Sequence, residues 1–289
     1  MKHSPSLSVL CAVIGALAPA IAAENPEAVF NAARGCWQIQ LPSEHQAGPA
    51  RVEILRPDRL EPGKSYPVLF VLPVEAGEGT RFGDGLLEAK KADLANKYGL
   101  ICVCPSFTAL PWYGNHASDP HLQQEKFVLQ TLVPYVESHE PVLRDKEGRW
   151  LLGFSKSGWG AFTLLLRHPD VFGYAAAWDT PFMLNGENSG KDWGPLGIHA
   201  VFGTQEAFQQ FLPTRLAAEK AEAFKGRTRL ILGIGADWKK QVEEMHALLD
   251  QLGVPHAYRT DLNLPHRWDS GWFAPMAENL VNLARAGAR

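Results

Sequence analysis

The stretch Trp150-Leu-Leu-Gly-Phe-Ser-Lys-Ser-Gly158 decides the fold. It begins as a short apolar run, which is typical of a strand buried on both faces, and small residues follow at once. A tight strand-to-helix turn forces strained backbone angles on its central residue, so the neighbouring residues must be small. The same turn lifts the central side chain clear of the backbone and points the following N–H at a developing oxyanion. We therefore predict a nucleophile elbow with Ser155 at its apex.

The elbow departs from the usual G-x-S-x-G pattern, because Ser157 replaces the last glycine. Serine is still small, and Gly158 follows it. The alternative is that Ser155 only caps the next helix, but its position directly after an apolar strand favours the elbow. Lys156 places a charge next to the nucleophile, where it would either attract an acidic substrate or point to solvent.

Strand and helix patterns alternate on both sides of this turn. The first two strands resemble an antiparallel pair, and the later alternation implies a parallel sheet covered on both faces. We predict one α/β domain over residues 24–289, with residues 181–226 as a cap-like excursion after the strand that follows the elbow. The predicted strands are Trp37–Leu41, Val52–Leu55, Tyr66–Leu72, Leu100–Cys104, Trp150–Phe154, Tyr174–Trp178, Arg229–Ile234 and His256–Asp261, and the predicted helices are Leu86–Tyr98, Gln123–Ser138, Ser157–Arg167, Lys239–Leu252 and Trp272–Arg285.

Composition and the first residues limit the partners. The 289 residues carry 28 Lys and Arg against 31 Asp and Glu, with no basic run, which argues against a nucleic-acid binder. Residues 1–23 have a basic start, an apolar stretch and small residues at Ala20 and Ala22, which is the anatomy of a signal peptide. A membrane anchor is disfavoured because the stretch is too short. We expect a secreted or periplasmic protein without a membrane partner after cleavage.

Cysteines and metal motifs give weaker signals. Cys36, Cys102 and Cys104 remain after the leader is removed. Cys36 can pair with one of the other two, or all three can be buried thiols. The sequence contains no C-x-x-C or H-E-x-x-H motif, so we predict no metal site.

An acid and a histidine follow Ser155 in the order that a hydrolase triad requires. Asp237 ends an apolar strand, and His266 lies beyond the next strand. His266 would take the proton of Ser155, and Asp237 would orient the imidazole. Asp237 could instead cap the following helix, and His266 could be an ordinary surface residue. Asp179, which closes the strand after the elbow, is the substitute acid.

The nine tryptophans are the main evidence on substrate. Most of them follow strand ends, where the ligand crevice of a parallel α/β sheet lies, and their rings can stack on sugars or aromatic acyl groups. The alternative for many of them is core packing. The candidate substrate-binding residues are Trp112, Trp159, Trp178 and Trp268.

The chain resembles the α/β-hydrolase superfamily, in the esterase branch that includes esterase D-like and feruloyl or acetyl-xylan esterase-like proteins. The resemblance rests on Gly153–Ala161, on Arg167–Phe172, and on Gly253–Tyr258 leading to Pro265-His266. It implies serine ester hydrolysis through an acyl-enzyme, without metal or organic cofactor. It also implies an oxyanion hole from the backbone N–H groups of Lys156 and Glu75, although the family's His-Gly is replaced here by Leu72-Pro-Val-Glu75, so Val74 is an alternative donor.

Together these features predict a secreted serine esterase acting on a small-molecule or polysaccharide-linked ester, with carbohydrate-linked acetyl or hydroxycinnamoyl groups as the expected substrates. Two other classes stay open. A serine peptidase of the same fold would use the same three residues, and a non-catalytic binding protein on a hydrolase scaffold would explain Ser157 and the missing His-Gly.

Overall fold

A computed structural model describes residues 26–184 and 197–287 of the chain. The predicted signal peptide and Trp193 lie outside these residues. In these two stretches nine strands form one sheet, in the order β1-β2-β3-β5-β4-β6-β7-β8-β9. Strands β1, β2, β3 and β5 pair antiparallel in succession, and the pairs from β5 through β4 to β9 are all parallel. The strands are β1 Val29–Asn31, β2 Cys36–Leu41, β3 Ala50–Leu55, β4 Val68–Val71, β5 Ile101–Pro105, β6 Arg149–Phe154, β7 Tyr174–Trp178, β8 Leu230–Gly233 and β9 His256–Arg259.

Helices cover both faces of the sheet, as the sequence predicts. One face packs against the helical stretch 124–139 and against α5, α8 and α9, and the other packs against α1, α2 and α10. The α-helices are α1 Gly85–Lys91, α2 Leu94–Tyr98, α3 Gln124–Lys126, α4 Val133–His139, α5 Ser155–Arg167, α6 Ile198–Phe202, α7 Gln205–Gln209, α8 Pro213–Phe224, α9 Lys239–Gln251 and α10 Phe273–Gly287.

Three helices differ from the sequence prediction. The helix predicted over Leu86–Tyr98 is divided into α1 and α2, because Asp93 adopts a left-handed conformation with φ of 49°. The segment Phe127–Leu132 between α3 and α4 is a π-helix. Helix α5 begins at Ser155 and not at Ser157, so the proposed nucleophile is itself the first helical residue.

Within the described residues, Cys36, Cys102 and Cys104 are free thiols. Strand β3 separates β2, which carries Cys36, from β5, which carries Cys102 and Cys104. Two strand spacings amount to about 9.6 Å, and a disulfide needs Cα atoms within about 7 Å. The sheet order therefore excludes a bridge between Cys36 and either partner.

The described part of the excursion is helical and packs beside α5. Helices α6, α7 and the residues before α8 form an apolar cluster with Trp112 and Trp159. Thr163 Oγ1 donates to Phe211 O at 2.9 Å, and Arg167 Nη1 donates to Gln210 O at 2.9 Å. These contacts fix the excursion to the helix that begins at Ser155. No helix among the described residues is long and apolar enough to cross a membrane.

Candidate active site

The turn between β6 and α5 has the backbone geometry of an elbow. Ser155 has φ of 51°, a left-handed conformation that non-glycine residues rarely adopt. Gly153 and Gly158 provide the space, because a Cβ on Gly153 would lie 2.5 Å from the carbonyl of Ser157, and one on Gly158 would lie 2.1 Å from Thr180 Oγ1. The predicted need for small neighbours is thus met by these two glycines.

Ser157, the residue that departs from the usual pattern, stabilises the turn. Its Oγ accepts a hydrogen bond from Phe154 N at 3.0 Å and donates one to Phe154 O at 2.9 Å. The side chain is fully buried. The serine therefore satisfies the polar groups of the residue before the nucleophile, which a glycine could not do.

His266 is paired with Asp179. Its Nδ1 lies 2.6 Å from Asp179 Oδ2, and the Asp179 side chain has no exposed surface. The carboxylate accepts the Nδ1–H, so the lone pair of Nε2 remains available as a proton acceptor. Ser155 N also donates to Asp179 O at 3.2 Å, which joins the elbow to the residue that bears the acid.

Asp179 takes the place of the predicted acid, Asp237. The side chain of Asp237 is exposed, and only its backbone N–H takes part, donating to Asp179 Oδ2 at 3.2 Å. Trp238 N donates to the other oxygen, Oδ1, at 2.7 Å. Two N–H donors at the start of α9 and one imidazole thus hold a single buried carboxylate. The alternative of Asp237 as a side-chain cap is not observed either, since α9 begins at Lys239, its N-cap residue is Trp238, and no side chain caps it.

Two backbone features explain why Asp179 rather than Asp237 reaches the histidine. Asp179 has φ of 44°, which turns the chain sharply at the end of β7. A Cβ on Gly235 would lie 2.2 Å from Asp179 Cβ, so this glycine leaves room for the carboxylate. The sequence shows the glycine but not what approaches it.

Aromatic rings hold the imidazole of His266 from several sides. Phe154, directly before the nucleophile, meets it edge to face with ring centroids 4.9 Å apart. Phe82 does the same at 5.7 Å, and Trp178 lies parallel to it at 6.4 Å. Neither Phe82 nor Phe154 carries a polar group, so the sequence gives no sign that these rings contact the histidine.

The predicted oxyanion donors flank the elbow from two loops. Lys156 is the second residue of α5, where backbone N–H groups have no partner within the helix. Glu75 follows β4, and its Oε2 accepts a hydrogen bond from Phe82 N at 3.2 Å. The Pro73 carbonyl beside it accepts a hydrogen bond from Tyr113 Oη at 2.6 Å. The oxyanion role of Lys156 and Glu75, with Val74 as the alternative, stays a prediction.

The Lys156 side chain is half-buried beside the nucleophile and does not point freely to solvent. Burial lowers the pKa of its ammonium group, and the charge of Arg81 lowers it further, while Glu75 raises it. The side chain forms no salt bridge among the described residues, so the elbow carries a cation without a direct partner.

Three of the four candidate substrate-binding tryptophans lie inside the protein. Trp112, Trp159 and Trp178 have no exposed surface. Trp112 and Trp159 pack edge to face at 5.5 Å under the excursion. The core-packing alternative therefore applies to them, and the prediction of direct stacking on substrate is wrong for these rings in this conformation.

Trp178 supports the site from within. Its Nε1 donates to Ile234 O at 2.8 Å and to Leu262 O at 2.9 Å. It therefore connects β7 with the ends of the two segments that lead to Trp238 and to His266. Trp178 positions the pair of Asp179 and His266, although it does not face a ligand.

Trp268 borders a cleft beside the predicted oxyanion loop, although the residue as a whole is only 2% exposed. The cleft is lined on its other sides by the loop after β4, including Val74 and Glu75, and by the ends of β3 and β5. Its position beside the predicted oxyanion loop makes it the candidate subsite for one side of a substrate.

Comparison with known proteins agrees with this geometry. Residues 110–247 match the family model described as "Putative esterase". Among solved structures, the fold is similar to MPT51 (FbpC1) of Mycobacterium tuberculosis, with a TM-score of 0.68 and 14% identity over 86% of this chain and 99% of that chain. It is also similar to a ferulic acid esterase, with a TM-score of 0.65 and 17% identity over 86% of this chain and 95% of that chain. The chain therefore has the α/β-hydrolase fold.

The chain also has curated sequence relatives. Esterase Rv1288 of Mycobacterium tuberculosis (strain ATCC 25618 / H37Rv) is 26% identical over 240 residues, covering 71% of this chain and 50% of the relative. This chain thus spans about half the length of that curated relative. The matched family region contains Ser155 and Asp179, and His266 lies beyond it.

Proposed function

We propose that this protein is a serine carboxylic-ester hydrolase in which Ser155, His266 and Asp179 form the catalytic triad. The observation that carries the proposal is the hydrogen bond of 2.6 Å between His266 Nδ1 and the buried Asp179 carboxylate, beside a strained serine at a strand-to-helix turn. The family match and the similarity to esterases support the same activity.

The first half-reaction forms an acyl-enzyme. Ser155 Oγ attacks the ester carbonyl while His266 Nε2 accepts its proton, and Asp179 stabilises the resulting imidazolium. The carbonyl oxygen becomes an oxyanion facing the N-terminus of α5, where the Lys156 N–H and the helix dipole favour negative charge. His266 then gives its proton to the leaving alcohol as the carbon–oxygen bond breaks.

The second half-reaction restores the enzyme. Water takes the place of the alcohol, His266 removes a proton from it, and the hydroxide attacks the acyl carbonyl. Collapse of the second oxyanion releases the carboxylic acid, and the proton returns from His266 to Ser155. Ser155 Oγ makes no hydrogen bond with His266 among the described residues, and such contacts often tighten only when substrate binds.

The proposed substrates are carbohydrate-linked acetyl or hydroxycinnamoyl esters. The similarity to a ferulic acid esterase supports this class. The cleft bordered by Trp268 supports an aromatic or sugar group next to the oxyanion loop. The protein is further proposed to act outside the cytoplasm, on the evidence of residues 1–23, and N-terminal sequencing of the exported form tests this by finding a start at Ala23 or Glu24.

The activity is tested with purified protein on p-nitrophenyl acetate. Ser155→Ala and His266→Ala should each lower kcat by several orders of magnitude. Ser138→Ala and His121→Ala, which change exposed residues on other segments, serve as matched controls and should keep wild-type rates. Full activity in either Ser155→Ala or His266→Ala would overturn the triad.

The two rival classes are separated in the same experiments. A fluorophosphonate probe should label the wild type and not Ser155→Ala, and failure to label the wild type would favour a non-catalytic binding protein. Comparing acetyl, feruloyl, glucuronoyl and short-chain acyl esters with peptide p-nitroanilides identifies the substrate. Cleavage of the peptides at rates above the esters would favour a serine peptidase.

A further inference from the structure

Three metal-ligating side chains meet at the end of α9, where it packs beside β9. His246 and Asp250 lie one helical turn apart on α9, and His256 begins β9. Their ligand atoms all lie within 4.8 Å of one another. These three residues match no standard metal-binding motif, so their sequence positions do not predict a metal site.

The individual distances are close to those that a metal ion requires. His246 Nδ1 lies 2.7 Å from His256 Nε2, His246 Nε2 lies 3.5 Å from Asp250 Oδ2, and His256 Nε2 lies 3.9 Å from Asp250 Oδ1. Tetrahedral zinc with bonds of about 2.0–2.1 Å places neighbouring ligand atoms about 3.3 Å apart. The distances involve different nitrogens of His246, Nδ1 towards His256 and Nε2 towards Asp250, and one ion takes only one of them. With one ligand atom from each residue, all three atoms still lie within 4.8 Å of one another, so binding requires the ring of His246 to reorient and the three side chains to draw together.

Contacts outside the cluster already orient both imidazoles. His256 Nδ1 donates to Val254 O at 2.8 Å, which leaves the lone pair of Nε2 directed at the other two residues. A backbone carbonyl on the far nitrogen is the usual support of a metal-bound histidine. The ring of His246 is stacked on Tyr258, with ring centroids 3.9 Å apart and an angle of 19° between the planes. A half-turn about its Cβ–Cγ bond keeps this stacking and changes which ring nitrogen lies on the side of His256.

Burial and charge also suit a cation. The side chain of His256 is only 3% exposed, that of His246 is 31% exposed and that of Asp250 is 63% exposed. The cluster is therefore closed on the protein side and open to solvent on the other. One carboxylate and two neutral imidazoles favour a borderline transition metal over Mg²⁺ or Ca²⁺, which prefer oxygen ligands.

We propose that His246, Asp250 and His256 form a binding site for a divalent transition metal such as Zn²⁺, with remaining coordination positions filled by water. The site is independent of the proposed esterase activity. It joins the end of α9 to the start of β9. Helix α9 follows Asp237 and Trp238, whose backbone N–H groups donate to Asp179, and β9 precedes His266. Bound metal would therefore link the helix that follows the backbone donors to Asp179 with the strand that precedes His266.

The site is tested on untagged protein that has been treated with a chelator and dialysed. Isothermal titration with ZnCl2 should give one equivalent of binding, and Zn²⁺ should raise the Tm with the logarithm of its concentration. Asp250→Asn, His246→Ala and His256→Ala should each weaken binding at least about tenfold.

Controls separate the site from other histidines and from loss of folding. His121→Ala, an exposed histidine on another loop, should bind as the wild type does, and so should His266→Ala, which removes the proposed catalytic imidazole. Asp250 is mostly exposed, so Asp250→Asn should fold even if the buried His256→Ala does not. Electron paramagnetic resonance of the Cu²⁺ form should show two coordinated nitrogens in the wild type and one in His246→Ala.

Either of two results would overturn the proposal. The first is the absence of any binding heat and any Zn²⁺-dependent rise in Tm. The second is binding that is unchanged in both Asp250→Asn and His246→Ala, since an adventitious site elsewhere would then hold the ion. In either case His246 and His256 would only form a hydrogen bond with each other, which helps α9 to pack against β9.

Discussion

His266 Nδ1 and Asp179 Oδ2 form a hydrogen bond of 2.6 Å, and this carboxylate accepts hydrogen bonds from three donors in all. The backbone N–H groups of Asp237 and Trp238 supply two of them, and the His266 Nδ1–H supplies the third. A carboxylate with this many donors is held in one orientation. The residue that sequence order favoured as the acid thus acts through its backbone, as a support of the residue that contacts the histidine.

Exchanging the two candidate acids for amides should separate their roles. In Asp179→Asn the side-chain amide would present N–H to Nδ1, which favours the wrong tautomer and should lower kcat by about 10⁴, as in other triads. Asp237→Asn keeps its backbone donor and should stay near the wild-type rate. Steady-state hydrolysis of p-nitrophenyl acetate measures both, with thermal unfolding to show that the variants are folded. A larger loss in Asp237→Asn than in Asp179→Asn would contradict the assignment.

The fold was predictable because its signals are local. Buried parallel strands are short apolar runs, and the elbow is a contiguous stretch, so β6 and Ser155 could both be located from the sequence. The acid of the triad could not be identified from such local signals. Asp179 and Asp237 each end a strand, and only the backbone turn at Asp179 and the space beside Gly235 decide which carboxylate reaches His266.

The tryptophans show a second limit of sequence reasoning. Their positions after strand ends predicted that they lie near the site, and Trp178 and Trp268 do so. Chain position does not show which side of a loop faces solvent. The packing of α6 and α7 over Trp112 and Trp159 buries both rings, and that contact joins residues that are far apart in the sequence.

Ser157 is expected to contribute to stability. Ser157→Ala removes the acceptor of the Phe154 N–H inside the protein, and an unsatisfied buried N–H costs about 1–3 kcal/mol. The free energy of unfolding from urea titration measures the loss. Ser138→Ala, an exposed helical serine, is the matched control and should change it by less than about 0.5 kcal/mol. Equal effects of the two substitutions would show that the hydrogen bonds of Ser157 do not contribute to the free energy of unfolding.

Gly158 should tolerate no side chain while Thr180 is present. In Gly158→Ala the new Cβ would lie 2.1 Å from Thr180 Oγ1 and 3.2 Å from Ala177 Cβ, and overpacking of this kind costs about 1–3 kcal/mol. Adding Thr180→Ala removes the closer clash and should restore part of the loss. A double-mutant cycle on the free energy of unfolding measures the coupling. Additive effects would mean that the two residues do not meet.

Lys156 should make stability depend on pH in a defined direction. Its pKa in the folded protein is lowered, first by burial and then by Arg81, so the unfolded chain binds the proton more tightly. The charged ammonium therefore destabilises the native state at neutral pH. This penalty disappears as pH rises from the lowered pKa to the unfolded value of about 10.4, because the group is then neutral in both states.

Lys156→Met should consequently be more stable than the wild type at pH 7, and its advantage should shrink as pH approaches 10. Urea unfolding at several pH values between 7 and 10 measures the free energy of unfolding of both proteins. Taking the difference between variant and wild type cancels the titration of all other groups. Lys156→Arg keeps the charge and should show no such gain, and Lys240→Met tests the same change at a side chain that is 87% exposed. An advantage for Lys156→Met that stays constant across the range would mean that it comes from packing and not from the charge.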